Sequence, residues 1–211
     1  MIAIIFDFDN TLIDSRINFA ELRATLIDQW AARSSLPAAR EKLMRHPLRD
    51  LVDQATTSAP DLGASLWATI ERYEAAGLDG ATAMPYAREV LEHLAARGFR
   101  LALLTNNARP ATHRLLQAMA LTPLLDLAMT RDDVPALKPD PSGIRLIVER
   151  LAPLHAAYMV GDSWIDGLAA EGAGVRFIGF GERRVEVESR GVVPWAWISD
   201  LRELLSLDFG Q

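Results

Sequence analysis

Apolar and polar residues follow one another along this chain in blocks. Four short runs, residues 2–6, 100–104, 157–160 and 175–179, are rich in apolar side chains and lack polar residues at every second position. Such runs are typical of strands that are covered on both faces of a sheet. Between them lie segments in which apolar residues recur every three or four positions, as in helices. This alternation predicts an α/β fold with a parallel sheet and helices on both faces.

One long stretch departs from this alternation. Residues 15–80 show helical apolar spacing and no strand-like run. The breaks in the pattern fall at three prolines and one glycine: Pro37, Pro47, Pro60 and Gly63. We therefore predict a small all-helical domain over 15–80, inserted into an α/β core made of residues 1–14 and 81–211. We expect it to lie over the carboxyl edge of the sheet, where open α/β sheets bind ligands.

The charge balance and the lack of cysteine narrow the classes of partner and site. The 28 acidic residues outnumber the 22 basic ones and give a formal net charge of -6, which repels a nucleic-acid backbone or an anionic lipid surface. We expect a small soluble partner, with no nucleic acid and no membrane. Because the chain has no cysteine, any metal must be bound by oxygen or by histidine nitrogen.

The apolar segment at the start of the chain is too short for a signal peptide or a membrane span. Residues 1–6 contain no basic residue and are followed at once by Asp7 and Asp9. Secretory signals begin with a basic region, and both signals and spans need longer apolar runs. The prediction is a cytoplasmic protein.

Two carboxylates follow the first predicted strand. Asp7 and Asp9 are two residues apart, so they leave the end of the strand on the same side. Carboxylates are unfavourable at a buried strand end unless hydrogen bonds or a bound cation compensate them. The pattern fits a catalytic or metal site, but it also fits a polar strand end that leads into a turn.

The second strand and a later loop supply groups that can bind phosphate. Thr105 and Asn106 follow the strand at 100–104, just before a predicted helix, where a hydroxyl and free backbone N–H groups can contact phosphate oxygens. The alternative is helix capping by Asn106 or Asn107. Lys138 lies in a loop restrained by two prolines, where its ammonium can be held against a phosphate and a carboxylate, although solvated loop lysines are common.

Two more carboxylates follow the third predicted strand. Asp162 stands at the strand end, and Asp166 lies four residues later on the same face of the next helix. Acidic residues at a helix start can also serve only to interact with the helix dipole. These four polar segments in fixed order are much more informative together than separately.

These motifs together resemble the haloacid dehalogenase-like hydrolase superfamily, whose core is a Rossmann-like parallel sheet. The resemblance spans nearly the whole chain and rests on four segments: 7–12, 104–106, 138–139 and 161–170. The helical insertion resembles the cap domain of the phosphoglycolate-phosphatase-like branch. Asn10 occupies a position where many members have glycine, and because asparagine tolerates a left-handed backbone, we expect the turn to be retained.

The resemblance implies a magnesium-dependent phosphatase that acts through a phospho-aspartate intermediate. It assigns the catalytic roles to a nucleophile, a general acid and base, and a cation: Asp7, Asp9 and Lys138. The implied contacts to the substrate phosphate come from Thr105, Asn106 and Lys138. The implied Mg²⁺ ligands are the Asp7 carboxylate, the Asp9 backbone carbonyl and Asp162, with Asp166 either as a further ligand or as a residue that holds the ligands in place.

Other functions of the same fold stay open at this point. A phosphomutase of the beta-phosphoglucomutase type would share every motif, whereas a dehalogenase would lack Asp9 and the magnesium site. A non-catalytic binding protein would not need Asp7, Asp9, Lys138 and Asp162 together. The predicted partner is a small-molecule phosphate ester, and the sequence makes no prediction of its identity or of the oligomeric state.

Overall fold

The structure, a computed structural model, describes residues 1–210. It contains two compact units. One consists of Met1–Ser15 together with the chain from Ala81 onward, and the other is Arg16–Gly80. None of the helices within residues 1–210 is long and apolar enough to cross a membrane.

The first unit is built on a six-stranded parallel sheet. The strands of this unit, in chain order, are β1 Ile2–Phe6, β2 Ile13–Asp14, β3 Thr82–Ala83, β4 Arg100–Leu104, β5 Leu127–Met129, β6 Ala156–Gly161, β7 Arg176–Phe180 and β8 Ala196–Ile198. The sheet order is β5-β4-β1-β6-β7-β8, and each neighbouring pair is parallel. The short strands β2 and β3 form a separate antiparallel pair. Strand β1 therefore lies inside the sheet, which explains why all five of its residues are buried.

Within residues 1–210 the chain has nine helices: α1 Phe19–Ala31, α2 Arg40–Leu43, α3 Leu48–Ser58, α4 Gly63–Leu78, α5 Ala87–Ala96, α6 Arg109–Ala118, α7 Ser142–Arg150, α8 Trp164–Ala173 and α9 Arg184–Ser189. Helices α5 to α9 belong to the first unit and cover its sheet. On one face, Ala3 and Ile5 of β1 share a core with buried residues of α7, α8 and α9. Because strand side chains alternate, Ile4 points to the other face. The α/β prediction is therefore confirmed.

Local sequence signals explain where several of these helices begin and end. Pro110 lies in the first turn of α6, where its missing N–H breaks no helical hydrogen bond. Ser163 and Asp166 form a capping box at the start of α8, and Gly174 ends that helix with φ 71°. These signals place the starts of α6 and α8 directly after strands β4 and β6.

Two details of the sheet differ from the sequence prediction. Strand β5 has only three residues, which is too short for an apolar pattern to be recognised. Strand β7 runs from Arg176 to Phe180, one residue later than predicted. Strand β8, Ala196–Ile198, lies at the other edge of the sheet. Asn10 adopts the expected left-handed conformation, with φ 57°.

The second unit, Arg16–Gly80, consists of α1 to α4 and a short 3-10 helix at Pro60–Leu62. Its apolar core includes Leu22, Leu26 and Trp30 of α1, with Leu66 and Ile70 of α4. The indole N–H of Trp30 donates to the Ser58 hydroxyl over 2.8 Å, so the largest buried side chain of this unit is also hydrogen-bonded.

The contact between β7 and β8 generates a stability prediction. Gly179 is paired with Trp197, and a Cβ on Gly179 would lie 2.1 Å from the indole ring. We expect Gly179→Ala to lower the free energy of unfolding by about 1–3 kcal/mol because the ring must move. Urea unfolding would measure this loss. In a double-mutant cycle with Trp197→Ala, most of the effect should disappear, and additive losses would contradict the explanation.

Candidate active site

The turn after β1 presents the first two carboxylates. The carbonyl oxygen of Phe8 accepts hydrogen bonds from the backbone N–H groups of Thr11, Leu12 and Ile13, which closes a tight turn. Asp7 and Asp9 lie on either side of Phe8, and both are more than nine-tenths buried. The backbone of Asp7 is still part of the sheet, because its N–H donates to the Val160 carbonyl. The two carboxylates are therefore fixed to rigid structure.

Lys138 is buried among acceptors. Its Nζ atom lies 2.5 Å from Asp7 Oδ1, 2.6 Å from Asp166 Oδ1 and 3.0 Å from the Leu104 carbonyl oxygen. Burial alone would lower the pKa of Lys138, but the charges of Asp166 and Asp7 outweigh it and raise the pKa above its usual value. The ammonium is thus charged at any physiological pH, and all three of its N–H groups have a partner.

Asn106 holds the loop that carries Lys138. Its side-chain Nδ2 donates to the Lys138 carbonyl over 2.9 Å, and its Oδ1 accepts from the Lys138 N–H over 2.9 Å. Both ends of the amide are therefore bound to the backbone of one residue. The structure brings Asn106 into the site, with its side chain on the lysine loop.

Thr105 and Asn107 lie at the end of β4. The Asn107 N–H donates to Thr105 Oγ1 over 3.1 Å, so the hydroxyl hydrogen of Thr105 remains available for another acceptor. The side-chain Nδ2 of Asn107 donates to Asp9 Oδ2 over 2.7 Å. The other oxygen, Asp9 Oδ1, is buried without a hydrogen-bond partner among residues 1–210.

The start of α8 contributes the remaining carboxylates. Asp166 Oδ2 accepts hydrogen bonds from the N–H and the hydroxyl of Ser163, while Oδ1 binds Lys138. A Cβ on Gly161 would lie 2.6 Å from Asp166 Cγ, so only glycine permits this close approach. Asp162 Oδ2 lies 3.2 Å from Nη1 of Arg183, in the segment after β7.

The proximity of these carboxylates changes their acidity. Burial raises the pKa of Asp7 well above its usual value, and Asp166 raises it further while Lys138 lowers it. Burial and the charge of Asp166 raise the pKa of Asp162 to about 7, against the opposing charge of Arg183. Burial also raises the pKa of Asp9. The hydrogen bond from the Asn107 amide opposes this shift.

The donor atoms at this site fit a hard divalent cation. One carboxylate oxygen from each of Asp7, Asp162 and Asp166 lies within 4.8 Å of the others, and all three residues are buried. With Asp9 included, four carboxylates face only two cationic side chains, so the ionised cluster has an excess of two negative charges. Hard divalent cations prefer oxygen ligands, and the excess negative charge of the cluster favours the binding of one.

Comparison with known proteins identifies the family. The family profile of haloacid dehalogenase-like hydrolases matches residues 4–180. The chain belongs to this family. A phosphoglycolate phosphatase of Nitrosospira multiformis is 32% identical over 209 residues, which cover 91% of this chain and 91% of the relative. The resemblance inferred from the sequence motifs is confirmed, and so is the predicted enzyme class, a phosphoric monoester hydrolase.

Solved structures show the same fold. A Bacteroides fragilis protein described as a haloacid dehalogenase-like hydrolase has a TM-score of 0.75 at 22% identity, and the match covers 96% of this chain and 98% of that protein. A Thermotoga maritima protein described as a beta-phosphoglucomutase has a TM-score of 0.64 at 22% identity, over 98% and 97% of the two chains. Likeness at this level of identity shows the fold and does not favour a mutase reaction.

Of the residues that the sequence analysis singled out, Asp7, Thr105 and Asp162 directly follow strands, Lys138 lies in a loop and Asp166 lies in the first turn of α8. Direct contacts join Asp7, Lys138 and Asp166, and Asp162 completes the carboxylate cluster. The sequence analysis assigned no place in the site to Asn107 or Arg183. The position of Asn107, two residues after Thr105, was a usable signal, whereas Arg183 had none beyond its place after the fourth apolar run.

The burial of Lys138 generates a stability prediction. Lys138→Met removes the only cation that contacts both Asp7 and Asp166 within residues 1–210, and unpairing buried charges costs about 3–5 kcal/mol. We expect the loss to be larger at pH 8 than at pH 5, because protonation of the carboxylates relieves their repulsion. Denaturant unfolding at the two pH values would measure it. Lys42→Met, on the exposed face of α2, is the matched control, and equal losses from both variants would contradict this account.

Proposed function

We propose that the protein is a magnesium-dependent phosphomonoester hydrolase that acts on a small phosphorylated metabolite through a phospho-Asp7 intermediate. The observation that carries this proposal is the buried arrangement of Asp7, Lys138 and Asp166 beside Asp9, whose Oδ1 has no partner among residues 1–210. The family membership and the phosphatase relatives support the same chemistry. The fold alone would not, because it serves many reactions.

In the first step, a carboxylate oxygen of Asp7 attacks phosphorus and forms an acyl phosphate, while the bond to the ester oxygen breaks. Protonated Asp9 gives its proton to the departing oxygen, so the product leaves as an alcohol. The free hydroxyl hydrogen of Thr105 can bind a phosphoryl oxygen, and Lys138, which is hydrogen-bonded to Asp7, compensates negative charge beside the reacting carboxylate. Asp166 and Asn106 keep Lys138 in place.

In the second step, water hydrolyses the acyl phosphate. Asp9, now ionised, takes a proton from the water molecule as its oxygen bonds to phosphorus, and the bond to Asp7 breaks to release inorganic phosphate. Asp9 thus recovers the proton that it gave up. The burial that raises the pKa of Asp9 favours the protonated form that the first step needs.

A divalent cation fits the same site. Its ligands would be Asp7, the Asp9 backbone carbonyl and Asp162, and when bound it neutralises negative charge on the phosphoryl oxygens. Both oxygens of Asp166 already have hydrogen-bond partners, which supports a role for Asp166 in holding Lys138. Arg183 compensates part of the charge of Asp162.

In this mechanism the residues of the first unit contact only the phosphoryl group, so other residues must select the leaving group. We propose this role for the helical unit Arg16–Gly80, as a cap domain in the manner of the phosphoglycolate-phosphatase-like branch. The Nitrosospira multiformis relative is a phosphoglycolate phosphatase, which makes small acidic phosphate esters the first substrates to test.

Inorganic phosphate release tests this function. With a panel of small phosphate esters, we expect release that requires Mg²⁺, is abolished by EDTA and falls on the order of a thousandfold or more in Asp7→Asn, which lacks the nucleophile. Asp208→Asn, an exposed aspartate far along the chain, should retain activity. Absence of release from every ester with Mg²⁺ present would contradict simple hydrolysis and favour a mutase or a binding function.

Thermal unfolding tests the cation site without an activity assay. The folded-state pKa of Asp162, about 7, lies above the ordinary value of 3.8, so ionisation between these values destabilises the folded protein. Without a cation, stability should therefore fall as the pH rises from about 4 to about 7. Mg²⁺ at about 100 times its Kd should then add about 2.7 kcal/mol, or roughly 5–10 °C in Tm, at pH 8.

The increase should be smaller at pH 5, where binding must first displace protons from the carboxylates. Asp162→Asn should abolish the increase at both pH values. Sodium chloride at matched ionic strength controls for screening. An increase of the same size at pH 5 and pH 8, or one that survives Asp162→Asn, would place the cation elsewhere.

A further inference from the structure

Asn107 follows Thr105 by two residues and contacts Asp9 with its side chain. We propose that Asn107 is a positioning residue, which orients the Asp9 carboxylate so that Oδ1 is the oxygen that exchanges a proton with the substrate. The inference rests on the proposed function, in which Asp9 transfers that proton. It extends that function to a residue to which the proposed mechanism gives no contact with the phosphoryl group or with the cation.

The contact between the two side chains is short and buried. Asn107 Nδ2 lies 2.7 Å from Asp9 Oδ2, and the two side chains belong to residues that are 4% and 8% exposed. The terminal torsion of an aspartate side chain has a broad energy profile, so the side chain alone does not fix the plane of its carboxylate. A short hydrogen bond to one oxygen supplies that restraint and determines which oxygen remains free.

The donor itself is held in place from both sides. The backbone N–H of Asn107 donates to Thr105 Oγ1, and its carbonyl oxygen accepts from the Arg131 N–H over 3.0 Å. Two residues later, the Arg109 N–H donates to Asp132 over 2.7 Å. The loop after β4 is therefore tied to the loop after β5, and Asn107 enters the site as a preorganised donor.

The backbone and the side chain of Asn107 act on two different groups. The backbone N–H occupies Thr105 Oγ1 and leaves the hydroxyl hydrogen for the phosphate, while the side chain occupies Asp9 Oδ2. A substitution of the side chain leaves the backbone contact to Thr105 intact. It should therefore impair proton transfer by Asp9 more than it impairs binding of the phosphoryl group.

The dependence of kcat/KM on the leaving group distinguishes a residue that positions the general acid from a residue that only supports the structure. An alkyl phosphate needs a proton on its departing oxygen, whereas 4-nitrophenyl phosphate releases a stable anion without one. In Asn107→Ala we expect kcat/KM for an alkyl ester to fall about 10- to 100-fold, which is part of the 10²–10⁴-fold typical of general acid catalysis. With 4-nitrophenyl phosphate, kcat/KM should change less than about threefold, and KM should change little for either ester.

Two further variants keep the test decisive. Asn107→Leu matches asparagine in shape but removes the donor, so it should reproduce the leaving-group effect even if the alanine variant is too unstable to assay. Thr112→Ala, a buried polar substitution on α6 outside the site, should lower stability without changing the ratio of the two kcat/KM values.

Equal losses with both esters, or unchanged kcat/KM with the alkyl ester, would overturn the positioning role while the native protein remains an active phosphatase. If the native protein releases phosphate from neither ester, the proposed function itself fails, and the role of Asn107 fails with it.

Discussion

The ammonium of Lys138 is surrounded by Asp7, Asp166 and the Leu104 carbonyl, and the residue as a whole is 3% exposed. A buried cation is stable only when its partners compensate the lost hydration, and buried carboxylates need a cation for the same reason. Each member of this cluster thus requires the others. The geometry of the site depends on this mutual requirement, because Lys138 connects the end of β1, the end of β4 and the first turn of α8.

The order of strands makes this cluster possible. Strands β4 and β6 are the two parallel neighbours of β1, so their carboxyl ends meet at one edge. Asp7 comes from β1, Thr105 follows β4 and Asp162 follows β6. The glycine at 161 lets Asp166 approach the strand end closely enough to reach Lys138. Residues more than a hundred positions apart are thereby brought within hydrogen-bonding distance.

Two adjacent asparagines hold different parts of the site in place. Asn106 binds the backbone of Lys138 through both ends of its amide, and Asn107 binds Asp9 through its Nδ2 atom. The first fixes the position of a charge, and the second fixes the direction of a carboxylate. Both are consequences of the loop after β4, which is tied to the loop after β5 through Arg109 and Asp132. Positioning of the reacting groups is thus built into the backbone at this edge of the sheet.

The sequence by itself determined the fold class and the family, and it identified the residues to which we assign the chemistry. Apolar runs such as 2–6 identify buried strands, and polar residues at their ends must meet at one edge of a parallel sheet. Strand β5 could not be predicted from the sequence, because three residues are too few to show a periodic pattern. Only the tertiary structure decided that Asn106 contacts the Lys138 loop, that Asn107 contacts Asp9 and that Arg183 contacts Asp162. Periodicity specifies the face and the end of an element, whereas a hydrogen bond depends on loop conformation and side-chain torsions that residues distant in sequence determine together.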